Sequence, residues 1–178
     1  LKYKIIRQHS GKTNMPITLS VVIATAIDTE RWPSDGIQRT PQDRFAYTGQ
    51  LLIARKFSEL FSLQLMPTIV HRNLTQSPDQ SNNLIGLGVG GRLKLTKRTA
   101  ITGEYYYNST KSLGAGYYNP LSIGFDIETG GHVFQIMFTN SAGLIEPQVI
   151  GNTTTNFFSG ARGIRLGFNF SRVFTIVK

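Results

Sequence analysis

Apolar and polar residues alternate along most of this chain, in segments that are separated by turn-forming residues. The segment GIRLGFNFSRVF at 163–174 shows the alternation most clearly. Its apolar phase is Ile164, Leu166, Phe168 and Phe170, and its polar phase is Arg165, Gly167, Asn169 and Ser171. A period of two is typical of a β-strand with one apolar face, because successive side chains point to opposite faces of a sheet.

The same period predicts nine strands and no competing helix. The predicted strands lie at about 1–8, 16–27, 44–55, 61–73, 83–95, 100–108, 119–128, 132–140 and 163–174. The connections between them alternate in length. Those near 11–14, 56–59, 96–98 and 129–131 are short, and those near 29–42, 75–81, 109–118 and 141–162 are long. This alternation is typical of an antiparallel up-and-down sheet whose short turns all lie at one end.

The pattern predicts an all-β protein, and it fits two kinds of barrel. In a transmembrane barrel the apolar face points outward to lipid, whereas in a soluble lipocalin-like barrel it points inward to an apolar ligand. No segment approaches the roughly 18 to 20 apolar residues that a membrane helix needs, so a membrane-spanning form must be a closed sheet. The alternating loop lengths favour an antiparallel up-and-down transmembrane β-barrel, with its short turns on the periplasmic side of a bacterial outer membrane.

Aromatic residues gather at the predicted strand ends and support the membrane form. Amphipathic rings favour the level of the lipid headgroups, so two aromatic girdles are expected. One rim holds Tyr105, Tyr106, Tyr107, Tyr117 and Tyr118, and the other holds Phe57, Phe61 and Phe174. Phe174 ends the last predicted strand, which resembles the C-terminal strand by which outer-membrane barrels are recognised for insertion. We therefore expect the lipid bilayer to be the principal partner.

The direction of the first predicted strand indicates how many strands the whole barrel would need. With the C-terminus in the periplasm, the strand at 1–8 runs inward from the outside. An even-stranded barrel then needs an odd number of strands before Leu1. We therefore expect residues 1–178 to form one domain that is the C-terminal portion of a barrel, with an N-terminal part missing from the chain.

Composition excludes several classes of function. The chain has 178 residues, of which 40% are hydrophobic and 16% are charged, and it has no cysteine for disulfides or thiolate metal sites. Its net charge of +9 comes from basic residues that are spread along the chain, so we expect no nucleic-acid partner. No catalytic constellation stands out, and we expect neither an enzyme nor a cofactor.

Charged residues of the polar phase form the first candidate site. They are Arg92, Lys94, Glu104, Asp126, Glu128 and Arg165. The short turn after Lys94 brings Arg92 and Lys94 toward Glu104, so we predict an internal ion-pair network across neighbouring strands. Such a network would stiffen the wall or line an aqueous path. Asp126 and Glu128 have no ligand-rich loop beside them, which disfavours Ca²⁺ binding and acid/base catalysis.

The segment at 141–162 is the second candidate site. It contains the run LIEPQVI at 144–150, whose apolar members are Leu144, Ile145, Val149 and Ile150. Apolar side chains that cluster in a loop need a cover. The run would therefore fold inward as a plug of the lumen, or it would hold an outer-membrane protein partner.

Seven short sequence segments together carry a resemblance to a known family. They are LLIARKF at 51–57, SLQLMPTIVHRNL at 62–74, GRLKLTKR at 91–98, EYYYN at 104–108, GFDIETGGHVFQ at 124–135, FTN at 138–140 and GFNFSRVF at 167–174. Together they resemble an uncharacterised Bacteroidota-type family of outer-membrane β-barrel proteins, a domain of unknown function. The resemblance implies the C-terminal portion of such a barrel and brings no catalytic or binding residues. We expect a structural or docking subunit of an outer-membrane complex, or a narrow porin-like pore.

Overall fold

The computed structural model describes residues 1–32, 34, 38–75, 78–108, 114–172 and 174. Strands dominate this part of the chain. They are β1 (Lys2–Ile6), β2 (Thr18–Ile27), β3 (Phe45–Lys56), β4 (Phe61–Arg72), β5 (Asn83–Lys94), β6 (Thr99–Asn108), β7 (Leu121–Thr129), β8 (His132–Thr139) and β9 (Arg165–Arg172). The helical elements are α1 (Glu146–Gly151) and two 3₁₀ turns, Pro41–Arg44 and Gly160–Gly163. No helix in the described part is long and apolar enough to cross a membrane.

Each strand pairs in antiparallel fashion with the next one along the chain, so the order in the sheet is the order in the sequence. This confirms the predicted all-β, up-and-down arrangement. The two outermost strands, β1 and β9, do not pair with each other within the described residues, and the sheet is open. The predicted closure into a barrel is therefore not made by these nine strands alone.

The strand boundaries at the two ends of the sheet differ from the prediction. The connection between β1 and β2 spans residues 7–17 and is not short; it contains an isolated bridge between His9 and Met15. Pro16 explains the later start of β2, because proline has no N–H to donate to a strand ladder. The last strand is also shorter than predicted, since a 3₁₀ turn precedes it and Phe174 lies beyond its final residue, Arg172.

The two faces of the sheet differ sharply in exposure. One face, here called the outer face, carries the apolar phase, and its side chains are exposed along all nine strands. Its exposed side chains include Tyr3, Ile23, Ile69, Ile85, Tyr107, Ile123, Phe138, Leu166 and Phe168. The opposite face, here called the inner face, carries the buried polar side chains of the strands, among them Ser20, Thr48, Gln50, Thr68, Arg72, Asn108 and Asp126.

A small apolar core also lies on the inner face. It consists of Leu52, Met66, Val70, Leu84, Tyr106 and Ile150, with Val22 and Tyr117 packed against it. The expectation that Tyr106 and Tyr117 belong to an aromatic rim is therefore wrong. Tyr106 falls in the inner phase, between Tyr105 and Tyr107 of the outer phase, because side chains alternate along β6.

Candidate functional site

Tyr106 crosses the inner face of the sheet and ties three strands together. Its hydroxyl accepts a hydrogen bond from Gln50 Nε2 at 2.7 Å and lies 3.4 Å from Met66 Sδ. Gln50 Nε2 also donates to Thr68 Oγ1 at 2.9 Å. The ring can reach so far because it lies directly over Gly88 of β5, where an added Cβ would overlap the ring carbons. Glycine therefore serves here as space for a neighbouring side chain.

The loop between β8 and β9, residues 140–164, folds back over this core. Its helix α1 packs on the inner face against β3, β4 and β5. Ile150 is only 1% exposed and joins the apolar core, and the neighbouring Pro147 and Gly151 are buried as well. The loop is thus part of the inner packing of the sheet.

Arg72 holds the end of α1 in place. Arg72 is 4% exposed, and its Nη1 donates to Asn152 Oδ1 at 2.8 Å and to the carbonyl of Gly151 at 3.4 Å. Nη2 donates to the carbonyl of Ser81 at 3.0 Å. No carboxylate pairs with Arg72 among the described residues. A buried cation with only neutral acceptors depends strongly on each of them, so the loop and Arg72 stabilise each other.

Gly151 has the same role for Arg72 that Gly88 has for Tyr106. An added Cβ at Gly151 would lie 2.6 Å from Arg72 Nη1 and 2.8 Å from Leu84 Cδ1. Such distances are below van der Waals contact. The absence of a side chain therefore lets the helix end approach the wall of β4 and β5.

A second set of hydrogen bonds fastens both ends of the loop. Asn140 is buried, and its Nδ2 donates to the carbonyls of Asn119 at 3.0 Å and Thr155 at 2.8 Å. Arg165 Nη1 donates to the carbonyl of Asn140 at 3.0 Å and to Thr155 Oγ1 at 2.8 Å. Arg165, one of the predicted lumen charges, thus binds the loop.

The apolar run of the loop is divided between inside and outside. Ile150 is buried and Val149 is half-buried, whereas Leu144 is 94% exposed and Ile145 is also exposed. Phe158, farther along the same loop, is 83% exposed. One part of the loop therefore packs as a plug would, and another part presents apolar side chains to the outside.

The predicted charge network has different partners from those expected. Arg92 Nε pairs with Asp126 Oδ2 at 3.3 Å, and Asp126 Oδ1 accepts from Gln135 Nε2 at 2.9 Å. Gln135 Oε1 in turn accepts from Asn169 Nδ2 at 3.0 Å. The result is a polar ladder on the inner face that runs from β5 over β6 to β9.

Glu104 does not pair with Arg92 or Lys94 among the described residues. The register places Glu104 opposite Gly90 and Arg92 opposite Thr102, so Glu104 lies one inner position nearer the long loops. It lines a cavity of about 180 Å³ beneath α1, together with Tyr106 and Ile150. The guanidinium of Arg92 extends the other way, toward Asp126, which is the pairing partner of the small residue Ala100.

The remaining predicted site residues lie at the short-turn end. Lys94 is half-buried on the inner face, and Glu128 is exposed near the turn into β8. Phe174 is exposed, and the guanidinium of Arg172 lies 4.6 Å from the centre of its ring. No group of three potential metal-binding side chains occurs within the described ranges.

Sequence reasoning missed Arg72, Asn140 and Tyr106, which hold the inner face and its loop together. Arg72 occupies the inner phase of β4, and nothing in the sequence distinguishes it from the other charged residues of that phase. Asn140 directly follows β8, and the period of two includes it at the end of the predicted strand at 132–140. The signal that could have found Tyr106 is its pairing with Gly88, since an aromatic residue opposite a glycine can cover it.

An apolar outer face, a polar inner face and a meander of antiparallel strands define a membrane β-barrel class of protein. The soluble lipocalin-like alternative is wrong, because its apolar face would have to be the covered one. The chain belongs to the family described as Membrane bound beta barrel domain (DUF5777), whose model matches residues 1–174. This match confirms the predicted membership of a β-barrel family of unknown function. Searches of curated proteins and of solved structures each found no match.

Proposed function

We propose that this chain contributes to a bacterial outer-membrane β-barrel that acts as a structural or docking subunit and is closed internally by its own β8–β9 loop. The observation that carries the proposal is the burial of Ile150 in the inner core, beside the bonds from Arg72 to the end of α1. The proposal includes no catalytic step and no cofactor.

The proposed outer-membrane location is supported by the lengths of the connections between strands. Short connections at 57–60, 95–98 and 130–131 share one end with the longer connection at 7–17, and the long connections at 28–44 and 140–164 share the other. Outer-membrane barrels have short periplasmic turns and long external loops. The β8–β9 loop would accordingly face the cell exterior.

The energetics favour a closed interior. Burying an isoleucine side chain is worth about 1.5 to 3 kcal/mol, and a hydrogen bond to a charged group contributes about 1.5 to 3 kcal/mol. Releasing the loop gives up at least one of each kind. These contacts oppose the conformational entropy that a released loop would gain.

A narrow pore is the second candidate function. It is favoured by cavities at both ends of the inner face. One, of about 330 Å³, lies between Asp28, Arg44, Arg72 and α1, and the other, of about 350 Å³, lies at the short-turn end beside Arg92 and Lys94. In that case the loop would act as a gate between two wet compartments.

Single-channel conductance of the full-length protein in planar bilayers separates the two functions. A closed subunit predicts almost no conductance for the wild type and a clear rise when residues 144–150 are deleted. Leu144→Ser is the matched control, because this side chain is exposed and its loss leaves the inner packing intact. A wild-type protein that conducts steadily, with no change on deletion, would refute internal closure.

The docking part of the proposal rests on Leu144 and Phe158, the exposed apolar side chains of the same loop. Their replacement by serine should release outer-membrane proteins that co-purify with the wild type and should leave conductance unchanged. If the same proteins stay bound to the Leu144→Ser, Phe158→Ser double variant, this loop does not dock them.

A further inference from the structure

The short-turn end of the inner face holds a cavity of about 350 Å³ that the packing of the loop does not use. Its walls come from the end of β3, the β3–β4 turn, the end of β5 and the connection before β2. The lining includes Lys56, Ser58, Ser62, Arg92, Lys94 and Gln8. Eight strand residues line it, and six of them belong to the inner phase: Thr18, Ala54, Lys56, Ser62, Arg92 and Lys94. Only Arg55 and Phe61 belong to the outer phase, so the cavity lies mainly on the inner face.

Positive charge prevails around this cavity. Four basic residues line it, Arg55, Lys56, Arg92 and Lys94, against the single carboxylate of Glu59. The Arg55 side chain belongs to the outer phase, so three of the four basic side chains lie on the inner face. Lys56 Nζ binds Glu59 Oε1 at 2.6 Å, and this hydrogen bond lowers the pKa of the Glu59 carboxyl. Arg55 places its guanidinium over the Phe57 ring, 4.9 Å from its centre.

Two of the cations keep unused donors. Arg92 engages Asp126 through Nε alone, and its two terminal nitrogens have no acceptor in the described part of the chain. Lys94 Nζ likewise has no acceptor among the residues that the structure describes, although its backbone N–H is bound to the carbonyl of Leu60. A guanidinium edge and an ammonium group thus remain free at the same cavity.

The walls of the cavity are fixed by their own hydrogen bonds. The Gln8 side chain donates to the carbonyl of Lys56 and accepts from its N–H, both at 2.8 Å. Ser58 Oγ accepts from the N–H groups of Leu60 at 3.2 Å and Phe61 at 3.1 Å, which fixes the turn. The end of β3 and the β3–β4 turn thus form a fixed wall of the cavity, which reduces the entropic cost of binding a ligand.

We propose that this cavity binds a phosphate-bearing anion through Arg92, Lys94 and the neighbouring serine hydroxyls. Phosphate has several acceptor oxygens and up to two negative charges, which suits a guanidinium, an ammonium and hydroxyl donors that converge. The volume is at the lower limit of small-molecule sites, so it admits a phosphate with a small substituent. The phosphate could belong to a phospholipid headgroup or to a soluble phosphorylated solute.

Isothermal titration calorimetry with inorganic pyrophosphate tests the site, using the full-length protein in zwitterionic detergent at low ionic strength. Lys94→Gln should weaken pyrophosphate binding about tenfold or more, because one desolvated ion pair is lost. Lys97→Gln is the matched control, since Lys97 is exposed in the β5–β6 turn and outside the cavity, and it should change the affinity less than about twofold. Lys94→Arg keeps the charge and should restore most of the affinity.

Adding phosphatidylglycerol to the micelles then distinguishes the two sources of phosphate. Competition with pyrophosphate assigns the site to a lipid headgroup, and unchanged pyrophosphate binding assigns it to a soluble solute. The proposal is overturned if pyrophosphate gives no heat of binding, or if Lys94→Gln and Lys97→Gln weaken it equally. Neither result depends on whether the β8–β9 loop closes the interior.

Discussion

At the scale of single residues, glycines decide how the inner face is packed. Gly88 leaves room for the ring of Tyr106, and Gly151 leaves room for the guanidinium of Arg72. Gly90, one inner position along β5, has no such close neighbour, since an added Cβ there would make ordinary contacts with Met66 Cε at 3.5 Å and the Gly103 carbonyl oxygen at 3.9 Å. Gly88 and Gly90, two glycines of the same strand, thus differ in whether they can accept a larger side chain.

This difference gives a matched pair of variants. Gly88→Ala should lower the free energy of unfolding by about 1 to 3 kcal/mol, because the methyl group displaces the Tyr106 ring from its bonds with Gln50. Gly90→Ala should change it by less than about 1 kcal/mol. Urea-induced unfolding from lipid vesicles measures both. Equal losses for the two variants would show that Tyr106 does not depend on Gly88.

At the scale of elements, the period of two predicts the strands and the residues that share each face, and the loop lengths favour an outward apolar face. The outer face is read correctly on β7 and β9, where Ile123, Phe125, Leu166 and Phe168 are exposed. The inner core could not be read in the same way, because Met66, Val70 and Leu84 look like isolated interruptions of a polar phase. They become a cluster only when register brings adjacent strands together, as in the pairing of Val70 with Leu84.

The assignment of faces predicts different outcomes for neighbouring positions of β9. Phe168→Arg puts a charge on the outer face and should cost about 2 to 4 kcal/mol in a bilayer. Asn169→Arg puts the same charge on the inner face, beside Gln135, and should cost less than about 1 kcal/mol. Refolding yield and urea stability in vesicles measure both effects. Equal tolerance of the two charges would contradict the assignment of the outer face to lipid, and a larger cost for Asn169→Arg would reverse it.

At the scale of the whole molecule, long-range contacts join the loop to the sheet. Arg72 and Asn152 are 80 positions apart, and Asn108 Nδ2 donates to the carbonyl of Ile150 from 42 positions away. The sequence left two fates open for the segment at 144–150, because both a plug and a docking surface require apolar residues. The contacts that bury Ile150 depend on β3, β4 and β5 meeting at one place, and no local pattern encodes that meeting.

Thiol labelling in intact vesicles tests most directly that the loop is folded onto the inner face. The chain has no cysteine of its own, so Ile150→Cys and Leu144→Cys each introduce a single thiol. We expect a membrane-impermeant maleimide to label Leu144→Cys at the rate of a free thiol and Ile150→Cys about a hundredfold more slowly, because labelling of a buried site requires local opening. Equal rates at the two positions would contradict internal closure by the loop.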